Sequence, residues 1–190
     1  SIRSYNSPYD KFLSGDKIAL DSSAQAGMKL FFSARLNCSS CHAGKDFTTA
    51  SLTKNTDSIY FNTGLYNVLN RNKYPADDNG LIAFTKNPKG DGKFKTPALR
   101  NVAMTAPYMH DGSVNTLEDV IILYVNGGRN ITTGPTWGNG QTNSRKDKRI
   151  KGFSITPEEK KQLISFLFSL SDSSVLTNPA FQNPFNLNNK

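Results

Sequence analysis

Long apolar runs, cysteine and histidine are all scarce in this sequence. Its longest uninterrupted apolar stretch is residues 120–125, far below the roughly 18–20 residues that cross a bilayer, so no transmembrane segment is expected. Only 36% of its 190 residues are hydrophobic, against roughly 45–50% in soluble domains when glycine is also counted. That length holds one domain, and its core is lean enough that something other than side chains is expected to help fill it. No basic stretch followed by an apolar one opens the chain, which begins Ser1-Ile-Arg-Ser4; an export signal is expected to lie upstream or to have been removed.

What is present in excess is positive charge: 23 Lys and Arg against 15 Asp and Glu give +8. The charge is spread out and becomes dense only in Arg145-Lys-Asp-Lys-Arg-Ile-Lys151. No groove-reading motif accompanies it, so nucleic acid is not expected as a partner. The run reads either as a solvated loop or as a docking patch for an acidic protein, where it would raise the association rate more than the affinity.

Residues 1–21, broken by Pro8 and Gly15, read as an extended arm or interdomain linker. Residues 22–171 form the domain, and residues 172–190, rich in Asn and Pro, read as a coiled tail. Within the domain, Ala24, Gly27/Met28, Phe31 and Ala34/Arg35 recur at helical spacing from Ser22 onward, predicting a short amphipathic helix that runs into the cysteine pair. Residues 43–95 are Gly-, Asn- and Lys-rich, with weak periodicity except at residues 65–69, and read as long loops with one or two short helices. Thr116 with Asp119 caps a helix carrying Leu117, Val120, Ile121 and Tyr124 on one face, ended by Gly127-Gly128. Thr156-Pro-Glu-Glu159 is a capping box with proline in the first turn, and Leu163, Phe166, Leu167 and Leu170 follow on its apolar face. No alternating pattern is long enough for a sheet, so the fold class is mainly α with long irregular loops.

Both cysteines fall in Cys38-Ser-Ser-Cys41-His42. This pentad is the attachment pattern for c-type haem: two thiols one turn apart reach the two vinyl groups, and the adjacent imidazole reaches the iron. A structural zinc site would need four ligands, and the chain has only these three groups, His110 and carboxylates to offer. A thioredoxin-like dithiol would follow a strand in a βαβ unit, which is not read here, and a disulfide across two residues would close almost no loop. One covalently bound haem c is therefore expected, and it supplies the apolar bulk that the side chains lack. Such attachment takes place outside the cytoplasm, so the expected location is the periplasm or the extracellular face of a bacterial membrane.

The second iron ligand is open among Met28, Met104, Met109, His110 and Tyr124. Methionine would raise the reduction potential and suit an electron carrier, whereas an anionic oxygen would lower it.

From Gly92 the chain reads Gly-Lys-Phe-Lys-Thr-Pro-Ala-Leu-Arg-Asn-Val-Ala-Met-Thr-Ala-Pro-Tyr-Met-His-Asp-Gly-Ser113, then Thr116-Leu-Glu-Asp-Val120. This strongly resembles the bacterial dihaem cytochrome c peroxidase and MauG family, in its C-terminal, electron-transfer haem domain. The resemblance extends back through Gly27-Met-Lys-Leu-Phe-Phe32 and the haem motif, and forward to Ile155-Thr-Pro-Glu-Glu159 and its helix, covering most of residues 8–171.

It implies a c-type-cytochrome-like domain that relays electrons to a peroxide-reacting haem on a missing domain or partner chain, fed by a small donor protein, a cytochrome c or a cupredoxin. It implies Cys38 and Cys41 as thioether anchors and His42 as proximal ligand. The family's distal Met lies fourteen residues after the His matching His110, at the position of Tyr124; the MauG branch also has Tyr there. It places His110 near the haem, the carbonyls of Thr105 and Pro107 on a calcium ion shared with the other half, and Arg100 on a haem propionate. A stand-alone mono-haem carrier, or a haem subunit of a larger redox assembly, is the alternative reading.

Overall fold

The computed structural model describes residues 4–179. Two helices form its spine. α2 (Ser22–Phe31) starts where the Asp21 carboxylate accepts from the Ala24 amide at 2.7 Å, and α5 (Pro157–Phe168) starts at the Thr156/Glu159 capping box, with acidic residues in its first turn favouring the helix dipole. They pack along one another and bury Ala24, Gly27 and Phe31 against Leu163, Phe166 and Leu167. Phe31 and Phe166 lie 5.2 Å apart between ring centroids, with Phe47 and Tyr9 completing an aromatic cluster. Each such buried side chain contributes about 1.5–3 kcal/mol.

α4 (Leu117–Val125) joins this core to a smaller one. Leu117 and Ile121 belong to the first cluster, while Leu123, with Tyr124 packed beside it, belongs to a second built on Leu65 and Tyr74. The long middle segment contains only 3-10 turns, the four-residue α3 (Ile82–Thr85) and the strand β1 (Tyr60–Phe61), which pairs antiparallel with β2 (Phe94–Lys95). A second two-residue ladder joins β3 (Asn130–Ile131) and β4 (Gly138–Asn139).

Three expectations need correction. Residues 8–13 are not an extended arm: α1 (Pro8–Leu13) is capped by Ser7, whose hydroxyl and amide bond reciprocally with Asp10, and Tyr9 seats on the core with its amide donating to the Ser169 carbonyl. The helix that begins at Ser22 does not run into the cysteines; it ends near Phe32, and Asn37, in the left-handed region at φ 58°, redirects the chain into a separate 3-10 turn at Cys38–Ser40. The tail begins with order, since buried Asp172 accepts from the Asn6 and Ser174 amides and α6 (Ser174–Thr177) follows. The remainder of the tail, residues 180–190, lies outside the described residues.

Candidate cofactor site

Between the two hydrophobic clusters lies a cavity of about 400 Å³. Phe31, Leu36, Leu117, Ile121, Leu163 and Leu167 make it apolar, and Cys38, Cys41 and His42 open onto it. The 3-10 turn brings both thiols to the same cavity, and both cysteines are free. Burial pushes the Cys38 thiol up to about 12 and raises Cys41 as well, against a lesser opposing bond from Ser40. Both shifts run opposite to the depressed pKa that activates the nucleophilic thiol of a redox dithiol.

His42 is held neutral: burial lowers its pKa more than the carbonyls of Phe47 and Pro97 raise it. Nδ1 lies 3.0 Å from the Phe47 carbonyl oxygen. An imidazole that keeps its proton on a carbonyl offers its second nitrogen as a lone pair, the arrangement that orients metal-bound histidines.

Of the five residues open for the second ligand, Met109, His110 and Tyr124 border the cavity. Met28 packs into the first core cluster, and Met104 is exposed. His110 is already engaged, its ring stacked 3.4 Å from Phe94 and its Nε2 2.8 Å from the Asp78 carboxylate. Tyr124 has its pKa raised, chiefly by burial and then by the Cys41 and Cys38 thiols. Among the described residues its hydroxyl has no hydrogen-bond partner, and no cation beside it offsets a phenolate.

Arg100 does not border the cavity; its guanidinium pairs with Asp10 at 2.7 Å. The cations that do border it are Lys95, Arg149 and Lys151, with no carboxylate among the lining residues. Arg149 lies over the Phe61 ring at 4.2 Å and is held by both carboxylate oxygens of Asp147 at 2.7 and 2.9 Å. From sequence alone its basic run reads as a solvated loop or docking patch; the one local signal is an acidic residue, Asp147, two positions before Arg149. Thr105 and Pro107 also border the cavity. Among the described residues no three His, Cys, Asp or Glu side chains converge on an ion site.

These features fit a large apolar macrocycle with anionic substituents: an apolar floor, two protonated thiols, an oriented neutral imidazole and cations at the rim. No helix among the described residues is long and apolar enough to cross a membrane.

The chain is 35% identical to the cytochrome-c peroxidase IdrP1 of Pseudomonas sp. (strain SCT), over 89% of this chain and 45% of that protein. It is 28% identical to the methylamine utilization protein MauG of Methylorubrum extorquens, over 94% of this chain and 43% of that protein. A solved MauG-like protein associated with microbial copper homeostasis superposes with a TM-score of 0.88 at 40% identity, over 95% of this chain and 56% of that one. No family model matches. The chain spans about half the length of the curated relatives it matches. Long matched stretches, shared fold and the Cys-x-x-Cys-His cavity agree: the chain belongs to the bacterial dihaem cytochrome c peroxidase and MauG family.

Proposed function

We propose that this cavity holds one covalently attached haem c and that the domain relays electrons from a small donor protein, a cytochrome c or a cupredoxin, to a peroxide-reacting haem on another domain or chain. The observation that carries the reading is the placement of Cys38, Cys41 and His42 on the same apolar cavity as Tyr124. When bound, the haem would supply a one-electron redox centre whose potential depends on the residues that hold its iron.

The chain's own residues do the rest. Cys38 and Cys41, kept protonated by burial, would hold the haem through thioethers, each S–H adding across one vinyl group. His42, its Nδ1 proton donated to the Phe47 carbonyl, would hold the iron through its other nitrogen. Tyr124, which borders the same cavity, would be the second protein ligand; an anionic oxygen there would lower the potential and suit a centre that shares oxidation rather than delivering electrons at high potential. The apolar floor would keep water out, and Lys95, Arg149 and Lys151, which border the cavity, would offset the charge of anionic substituents. Attachment through thioethers places the mature domain in the periplasm or on the outer face of a bacterial membrane. Calcium, if held by the Thr105 and Pro107 carbonyls, belongs to the junction with the other half.

The test is peroxide-dependent oxidation of a reduced small cytochrome by the haem-loaded chain, with and without a separately produced peroxide-reacting half of a relative. Turnover only when that half is present supports the relay; turnover by the chain alone contradicts it. The sequence's single Cys-x-x-Cys-His motif favours a second reading, a stand-alone mono-haem carrier. It predicts fast electron exchange with the small cytochrome and no stimulation by the added half.

A further inference from the structure

Arg100 is too enclosed to serve a group in the cavity. Its side chain is 8% exposed, and every nitrogen of its fork is engaged. Nε and Nη2 both donate to the Lys45 carbonyl, at 2.9 and 2.7 Å, while Nη1 donates to the Asp10 carboxylate at 2.7 Å and the Ser7 hydroxyl at 3.3 Å. The guanidinium also lies 5.4 Å from the Phe47 ring centroid.

Lys45 and Phe47 belong to the short loop that follows His42. Phe47 sits at φ 53°, a left-handed conformation that a bulky residue keeps only when its surroundings hold it there. Its ring is 1% exposed, among Tyr9, Phe31 and Phe166. This conformation presents the Phe47 carbonyl to His42 Nδ1. A line of contacts therefore runs from α1 to the imidazole: Asp10, Arg100, the Lys45 carbonyl, the Phe47 backbone, His42.

We propose that Arg100, anchored by Asp10, is a positioning residue for the His42 imidazole, fixing the 43–47 loop so that the Phe47 carbonyl holds the ring and strengthens it as a ligand. The inference rests on the haem reading above. The planar fork matters, because two N–H groups converge on one carbonyl while a third reaches the carboxylate, which a lysine ammonium cannot reproduce. Partners of this kind, one step removed from the metal, set ligand orientation and basicity.

The experiment uses the haem-loaded chain and the variants Arg100→Lys and Asp10→Asn, with Arg35→Ala as a control that breaks the ion pair to Glu159 at the start of α5. Haem per chain, melting temperature, reduction potential and NMR exchange of the His42 ring N–H are measured. Both test variants are expected to keep one haem, to exchange that proton several-fold faster, and to shift the potential upward, since a weaker imidazole donor stabilises the ferric state less. Arg35→Ala is expected to lower the melting temperature without moving exchange or potential. Wild-type exchange and potential in both test variants, with only stability changed, overturn the inference and leave the haem reading standing. If Arg100→Lys does not fold, the near-isosteric Asp10→Asn decides the matter alone. A wild-type chain that takes up no haem overturns the reading and the inference together.

Discussion

Gly27 of α2 lies so close to α5 that a side-chain carbon on it would sit 1.9 Å from the Gln162 carbonyl oxygen and 2.9 Å from Cβ of Phe166. The absence of a side chain at one position thus sets how closely the two spine helices approach, and with that the wall that Phe31, Leu163 and Leu167 present to the cavity.

Gly27→Ala is accordingly expected to destabilise the fold by about 3 kcal/mol, at the upper end of overpacking costs. The substitution favours a helix by about 1 kcal/mol in isolation, so a loss seen by chemical denaturation reports the clash and not helix propensity. An unchanged denaturation midpoint would show that the helices can separate without penalty.

Tyr124→Phe tests the second ligand. The ferric haem-loaded protein is expected to lack the weak near-infrared methionine-to-iron band, to change its spectrum on Tyr124→Phe, and to stay the same on Met109→Leu. A methionine band that survives Tyr124→Phe and vanishes on Met109→Leu would assign the position to Met109 and favour the electron-carrier reading.

Stability is expected to fall in acid, for a reason that can be located. Burial acts to raise the Asp10 and Asp172 pKa values, but hydrogen bonds from Ser7 and Arg100 to the first, and from Ser174 and Asn6 to the second, outweigh it and leave both below the ordinary 3.8. A lowered folded pKa gives stability that is present above the unfolded value and is lost as the pH falls through the folded one. Denaturant midpoints should therefore be flat above about pH 5 and decline below about pH 4. Asp172→Asn should flatten that decline; an acid slope unchanged by Asp172→Asn and by Asp10→Asn would locate it elsewhere.

What could be read from the sequence followed local rules. Thr156-Pro-Glu-Glu159 fixes the start of α5 through atoms within one turn, the Leu163 to Leu170 face is buried as its spacing predicts, and Cys38-Ser-Ser-Cys41-His42 names its chemistry because the spacing is itself the geometric requirement. What was missed depends on distant partners. α1 has only six residues and is held by docking of Tyr9 on the core; its Ser7/Asp10 box was legible in principle. Arg100 turns away from the cavity because Asp10, ninety positions earlier, takes its charge. Arg149 reaches the cavity because the Phe61 ring, far upstream, lies beneath it. Sequence spacing carries no information about such pairs.

The central claim is that Cys38 and Cys41 anchor one haem in this cavity, and the most direct measurement is the intact mass of the chain, with haem quantified per polypeptide, after production in cells that carry out c-type haem attachment. The account predicts one haem per chain, retained under denaturing conditions and no longer attached in the Cys38→Ala/Cys41→Ala variant. A chain with apo mass and two titratable thiols, made under conditions that load a known c-type cytochrome, would contradict it.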